Sequence, residues 1–452
     1  MWVLAFVTIG LIGLLLAGPA APQRTPVTRV RFENVTAASG IRFVLENSPT
    51  DQKHLIETMP GGVAAFDYDG DGLTDLYFTN GAAVPSLTKD SPRFWNRLYR
   101  NLGNFHFQDV TERAGVQGAG YSMGAAAGDY DNDGRVDLFV AGVGRNLLYR
   151  NRGDGTFEDV TSKAGIKSDP WSVGAVWLDY DNDGLLDLFV VNYVNWPPKA
   201  EPFCGTAAGL RVYCHPRFFE GLANRLYHNL GHGKFEDVSV ESGIAAHTGK
   251  GMAAVTADYD SDGRPDLFVT NDKLPNFLFH NLGNGHFEEA AFDAGVALLD
   301  NGNEISGMGA DFRDYNNDGR PDIAATALAG ETFPLFQNRG GGRFADAGYT
   351  THLGALTRRY SGWGIGLFDF NDDGWKDIFT ANAHVDDKVD TFEATDYKQP
   401  NAIFLNRGDG TFEDASGEAG GDFLAARAHR GCAFADFDND GRIDVVVSAL
   451  GE

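Results

Sequence analysis

Short apolar runs recur along this chain at intervals of about fifty residues, and each follows a polar segment of one repeated form. Leu76-Tyr77-Phe78, Leu138-Phe139-Val140 and Leu267-Phe268-Val269 are three of them. Ahead of each polar segment lies a stretch of small residues, as in Gly61-Gly62-Val63-Ala64-Ala65 and Met123-Gly124-Ala125-Ala126-Ala127. Behind it come Asn146-Leu147-Leu148-Tyr149-Arg150-Asn151, a Gly-rich turn and Phe157-Glu158-Asp159-Val160-Thr161, with counterparts in other units. Runs this brief, bounded by Gly, Asn and Asp, read as strands joined by hairpin turns. Four antiparallel strands per unit at this period predict propeller blades, with the small residues on the crowded innermost strand.

The polar segment reads Asp-x-Asp/Asn-x-Asp-Gly-x-x-Asp and occurs seven times, starting at Asp67, Asp129, Asp179, Asp258, Asp314, Asp369 and Asp436. The expected fold is therefore an all-β, seven-bladed β-propeller. The third and fourth strands recur only six times, from Asn96, Asn146, Asn224, Asn276, Pro334 and Asn401. A further fourth strand is expected at the other end, where Val30-Arg31-Phe32-Glu33-Asn34-Val35-Thr36 repeats the Phe-x-Asp-Val-Thr pattern. The ring is thus expected to close by this N-terminal strand joining the last blade. That last blade is expected to be incomplete, because the sequence reaches Glu452 before any third strand. Truncation is preferred to a natural edge left unpaired.

Alternate carboxylates on a tightly turned backbone suit a hard dication, and Ca²⁺ takes roughly six to eight oxygen ligands. In the first copy the candidate ligands are the side chains of Asp67, Asp69, Asp71 and Asp75 with the main-chain carbonyl of Leu73. The second offers Asp129, Asp131, Asp133 and Asp137 with Arg135, and the third Asp179, Asp181, Asp183 and Asp187 with Leu185. The fourth offers Asp258, Asp260, Asp262 and Asp266 with Arg264, and the fifth Asp314, Asn316, Asp318 and Asp322 with Arg320. The sixth offers Asp369, Asn371, Asp373 and Asp377 with Trp375, and the seventh Asp436, Asp438, Asp440 and Asp444 with Arg442. An EF-hand would place Glu at the twelfth position and enter a helix. Here that position is Phe78 and the segment enters a strand, so up to seven structural Ca²⁺ are expected in a different setting. Magnesium, which demands strict octahedral geometry with retained waters, is disfavoured.

These ligands account for the charge. The formal net charge is -26, matching the number of aspartates at the side-chain ligand positions, and such an acidic chain is not a nucleic-acid binder. Trp2 to Ala17 is apolar and precedes Gly18-Pro19-Ala20-Ala21-Pro22, so residues 1–21 read as a signal peptide, with an uncleaved membrane anchor as the alternative. Residues 22–29 would be a linker and 30–452 the propeller. Secretion, to an extracellular or periplasmic space, also suits calcium sites of ordinary affinity. Cys204 and Cys214 lie in an insertion, Glu201 to Arg217, where a local disulfide is expected; a zinc site with His215 lacks a fourth ligand. Cys432 reads as a small core residue.

Strand order sorts the loops onto two faces. The acidic segments join first to second strands on one face, while the long connections Asn80 to Asn96, Asn192 to Asn224 and Asn382 to Asn401 lie on the other. Recognition is expected on that elaborated face.

The acidic loops, the Gly-rich inner strands and the Phe-x-Asp-Val-Thr/Ala-Gly-Ile segments resemble the FG-GAP, or VCBS, repeats of the integrin α-subunit propeller. The likeness is closer to secreted proteins of the cartilage acidic protein type and bacterial relatives, which carry an ASPIC/UnbV domain after the propeller. It covers Val30 to Ala449, and no ASPIC/UnbV segment is found in this sequence. The resemblance implies an extracellular calcium-binding propeller used for adhesion or for binding a protein or glycan. The alternative is a carbohydrate-active enzyme, lyase-like, on the same scaffold. That would need a base and a charge-stabilising group in one pocket, and the sequence shows no catalytic constellation.

Several motifs receive ordinary readings. Arg152-Gly153-Asp154 and Arg407-Gly408-Asp409 are hairpin turns, and the sequon Asn34-Val35-Thr36 belongs to the repeat. His54 with Glu57, and His384 with Asp386 and Asp387, read as loop residues. Tyr121, Trp171, Tyr360 and Trp363 surround the expected mouth of the elaborated face and serve chiefly to pack blades.

Overall fold

The computed structural model describes residues 29–206 and 209–452, so the expected signal peptide and nearly all of the linker lie outside the described residues. The chain is an all-β propeller. Six units form four-stranded antiparallel sheets in simple up-and-down order, as in Val63–Phe66, Asp75–Phe78, Arg97–Asn101 and Phe107–Asp109 of the first. In each, the second strand lies between its two neighbours and under the adjoining blades, and every one of its residues is buried. That burial explains why the apolar runs after the acidic segments are continuous rather than alternating.

The expectation of a seven-bladed propeller with an incomplete last blade is corrected: among the described residues there are six four-stranded blades. The seventh unit contributes a two-stranded sheet, His429–Ala435 with Asp444–Ala449. Its inner strand fills the last place around the axis, because a Cβ on Gly431 would lie 2.3 Å from the Gly61 carbonyl of the first unit. On the other side Cys432 packs against Gly364 of the sixth. The same closeness recurs at Gly309, where a Cβ would lie 2.1 Å from the Trp363 carbonyl. At Gly431 and Gly309 the inner strands approach backbone to backbone, while at Gly364 and Gly366 the neighbour's side chain fills the space that the glycine leaves.

Residues 30–35, expected as a strand, form no strand among the described residues, because no third strand stands beside them to share a ladder. Their placement still follows the repeat. In six blades the Phe of the fourth strand packs on the aromatic residue at the second position of the preceding acidic loop: Phe107 on Phe437, Phe157 on Tyr68, Phe235 on Tyr130, Phe287 on Tyr180, Phe344 on Tyr259 and Phe412 on Tyr315. Phe32 meets Phe370 in the same way, ring centroids 5.9 Å apart. Its amide donates to the Ala419 carbonyl at 2.8 Å, as Phe287 donates to Ser242 and Phe412 to Thr351.

A second tie joins neighbouring blades. The third strands end in Asn, and its Nδ2 donates to a main-chain carbonyl at the second position of the preceding loop: Asn101 to Phe437, Asn151 to Tyr68, Asn229 to Tyr130, Asn281 to Tyr180, Asn338 to Tyr259 and Asn406 to Tyr315. All six bonds are 2.7–2.9 Å long and all six asparagines are buried.

Candidate functional site

Each acidic loop is wound by its own hydrogen bonds. The first Asp accepts the amide of the sixth-position Gly through Oδ2 in all seven copies, at 2.7–2.9 Å. That Gly sits at positive φ, +82° at Gly72, a backbone region costly for a residue with a Cβ. The ninth Asp is anchored from beneath. Asp75 accepts the Tyr68 amide at 2.8 Å and the Asn101 amide at 2.7 Å, and the first bond recurs in every copy. Burial pushes this carboxyl up to about 7 at Asp75, Asp137, Asp187, Asp322 and Asp377, against the pull of these backbone donors.

The loops converge carboxylates as a hard cation requires. Oxygens of Asp67, Asp69 and Asp71 lie within 4.8 Å of one another, as do those of Asp129, Asp131 and Asp137, and of Asp179, Asp181 and Asp183. Three of the four side-chain positions are thus brought together in each of these copies, and an all-oxygen set of this kind is compatible with Ca²⁺. The seventh-position residues Leu73, Arg135, Leu185, Arg264, Arg320, Trp375 and Arg442 each donate an amide to the fifth-position Asp.

One group beside the loops escaped the sequence reading. The residue just before the third-strand Asn leans over the acidic cluster. Arg100 reaches Asp69 at 2.6 Å and Asp71 at 2.9 Å, and Arg150 reaches Asp131 at 2.6 Å and Asp133 at 3.1 Å. His228 and His280 take the same place, 3.3 Å from Asp187 and 3.1 Å from Asp266. The fixed position before Asn was the available signal.

A second site lies at the axis on the opposite side of the ring. A cavity of about 370 Å³ is lined by loops that connect second to third and fourth to first strands, including Met59, Tyr213, Asp272, Lys273, Glu331, Trp363, His384, Asp386 and Glu393. No acidic-loop residue contributes to it. Trp363 is the one member of the expected aromatic group on its wall, whereas Tyr121 and Trp171 are wholly buried between blades. Four carboxylates, Asp272, Glu331, Asp386 and Glu393, stand against Lys273 around an apolar surface that includes Leu55, Met252, Met308 and Phe392. Tyr193 donates to Asp272 at 2.7 Å, and burial raises that carboxyl to about 6 despite the bond. His384 is held down at about 4 by burial.

The insertion of the third unit supplies part of the cavity wall, from Val212 to Pro216. Cys204 and Cys214 are joined as expected, with Cα atoms 5.2 Å apart, and the short loop is thereby stiffened. Glu201 accepts the Leu55 amide at 2.9 Å and pairs with His54 Nδ1 at 2.5 Å. Tyr213 donates its hydroxyl to Glu57 at 3.1 Å and its amide to Asp386 at 3.1 Å, while Lys53 pairs with Asp387 at 2.7 Å. His54, Glu57 and Asp386, read from sequence as separate loop residues, are therefore tied to one arm, while Asp387 is held by Lys53. Cys432 is free and half-buried.

Blades that each carry an acidic loop between first and second strands are those of an FG-GAP type of propeller. The model of the FG-GAP-like repeat matches residues 67–140, 129–190, 220–269, 258–325, 314–380 and 386–447, and the chain belongs to this family. Human cartilage acidic protein 1 is 28% identical over 219 residues, 47% of this chain and 30% of that protein. The Xenopus tropicalis form is 26% identical over 222 residues with the same shares, so the chain spans about a third of the length of these relatives. Among solved structures, an Agrocybe aegerita lectin that recognises non-reducing terminal N-acetylglucosamine covers 87% of both chains at 15% identity and a TM-score of 0.42. The rhamnogalacturonan lyase YesW covers 87% of this chain and 74% of its own at 13% identity and a TM-score of 0.36.

Proposed function

We propose that this chain is a secreted, calcium-stabilised binding module that presents its arm-bearing face to an extracellular protein or glycan. The observation that carries the reading is the axial cavity, assembled from loops of five units and walled by the disulfide-stapled arm, with no acidic loop in it. A cavity of about 370 Å³ takes one projecting group rather than a whole polymer. Its carboxylates favour a basic or hydroxyl-rich group, and its Trp and Phe provide a surface to stack on.

In this reading the first, third, fifth and ninth side chains and the seventh carbonyl of each loop hold Ca²⁺. The ion supplies positive charge that the clustered carboxylates otherwise lack. Arg100 and Arg150 offset part of the carboxylates' negative charge from the side. Residues 30–36 stand in for the fourth strand of the seventh unit and close the ring through Phe32. The experiment is affinity capture from extracellular fluid and a glycan array, run on the parent and on Trp363→Ala and Phe392→Ala. A partner bound by the parent and lost in both variants supports the proposal; a partner retained by both places recognition elsewhere and refutes it.

A further inference from the structure

The third and fourth acidic loops differ from the others in what stands over them. The residue before the third-strand Asn is Arg100 or Arg150 in the first two blades and Gln337 or Leu405 in the fifth and sixth, but His228 and His280 in the third and fourth. A guanidinium only donates, whereas an imidazole nitrogen can hold a metal. His228 Nδ1 lies 3.5 Å from Asp181 and 3.3 Å from Asp187, and His280 Nδ1 lies 3.7 Å from Asp260 and 3.1 Å from Asp266. In each loop the nitrogen and the third- and ninth-position oxygens stand within 4.8 Å of one another. The His228 nitrogen is buried yet makes no hydrogen bond, while that of His280 is bonded to Asp266. Each ring is set by the aromatic residue at the second position of its own loop, His228 edge-on to Tyr180 at 5.8 Å and His280 edge-on to Tyr259 at 5.7 Å. Asp187 and Asp266 are fully buried and fixed by the amides of Asn229 and Asn281.

We propose that these two loops are metal sites of a second kind, which take Zn²⁺ through His228, Asp181 and Asp187 and through His280, Asp260 and Asp266. Donors held about 2.0–2.2 Å from one zinc in a tetrahedron stand about 3.3–3.6 Å apart, a range that the two His228 separations match and the two His280 separations bracket. Three protein donors leave a fourth place for water. Calcium takes oxygen ligands, and an imidazole in the set moves a site toward zinc. A histidine that only offset negative charge, as Arg100 and Arg150 do, would donate a bond to a carboxylate, and His228 donates none from Nδ1. The same nitrogen stands over the same two loop positions in successive blades, so the arrangement is built twice. The proposal narrows the calcium reading to the other five loops.

The test is calorimetric titration of the full chain with zinc chloride in millimolar calcium, where two equivalents of zinc are expected to bind. His228→Gln and His280→Gln place in these blades the residue type that Gln337 already supplies in the fifth, so the fold is kept. Each should weaken one equivalent by about tenfold or more, and the double variant should lose both. His106→Gln, at an exposed residue bonded to the Asn104 carbonyl, is the control and should keep both. No zinc uptake in calcium, or uptake unchanged in the double variant, would overturn the proposal. The calcium reading fails by a different result: a melting curve of the double variant that chelation leaves unmoved would refute calcium in the other loops, whatever the zinc titration of the parent shows.

Discussion

Replacing Asn281 by Ala tests how the blades are held together. The side chain is fully buried and makes three bonds: Nδ2 to the Tyr180 carbonyl of the preceding unit at 2.8 Å, Nδ2 to the Pro265 carbonyl at 3.1 Å, and Oδ1 from the Gly283 amide at 3.0 Å. Alanine keeps the backbone amide that donates to Asp266 but strands all three partners. Each stranded buried group costs about 1–3 kcal/mol, and a water entering the space recovers part of it, so a loss of about 3 kcal/mol is expected. The assay is urea unfolding at fixed, saturating calcium, with the slope compared to confirm an unchanged transition. Glu288→Ala, on the exposed side of the adjoining strand, is the control and should stay within about 0.5 kcal/mol. A loss below about 1 kcal/mol for Asn281→Ala, or one equal to the control, would refute the view that these asparagines bind blade to blade.

Chelating calcium should lower the melting temperature by about 10 °C or more, since each site filled at a thousand times its Kd contributes about 4 kcal/mol; an unchanged curve in excess chelator would sink the metal reading. Gly309→Ala should cost at least about 3 kcal/mol or prevent soluble folding, because its Cβ would meet the Trp363 carbonyl, whereas Gly417→Ala, with open space around it, should be nearly neutral in the same urea assay. His384 and His429 are held neutral by burial, each at about 4, while the unfolded chain binds their protons near 6.5. Each imidazole should therefore subtract stability as pH drops from 6.5 to 4, by up to roughly 3 kcal/mol, against the opposite contribution of the carboxyls held near 7, and in His429→Gln the urea midpoint should fall less, or rise more, on acidification than in the parent. Tyr213→Phe removes the bond to Glu57 and should speed proteolytic cleavage within the arm without moving the global urea midpoint.

The strands and acidic loops were legible because they repeat. A single loop of this form reads equally well as a solvated acidic turn, and it is the recurrence of the same Gly and the same final Asp in seven copies that sets it apart. The Phe32 segment shows where local pattern stops. Its letters matched a fourth strand and its ring sits on Phe370, yet no ladder forms, because a strand needs a neighbour that those letters do not contain. The arm was illegible for a related reason. Glu201, Tyr213, Glu57 and Asp386 come from three distant stretches, and their pairing depends on the ring having already brought those stretches to one side. Nothing in the spacing of His54 or His384 announces that geometry. The arginines over the acidic loops were visible as a position but not as a role, since Arg, Arg, His, His, Gln and Leu occupy it in successive blades.

The asparagine ties also have a direction along the chain. Asn151, Asn229, Asn281, Asn338 and Asn406 each reach back to a carbonyl already synthesised, at Tyr68, Tyr130, Tyr180, Tyr259 and Tyr315. A blade leaving the ribosome can therefore dock at once on its predecessor, and growth proceeds by addition to a finished end. Asn101 alone points forward, to Phe437, 336 residues later. From the first blade to the last, that side chain marks an assembly still in progress, and its burial is the sign that synthesis has come full circle.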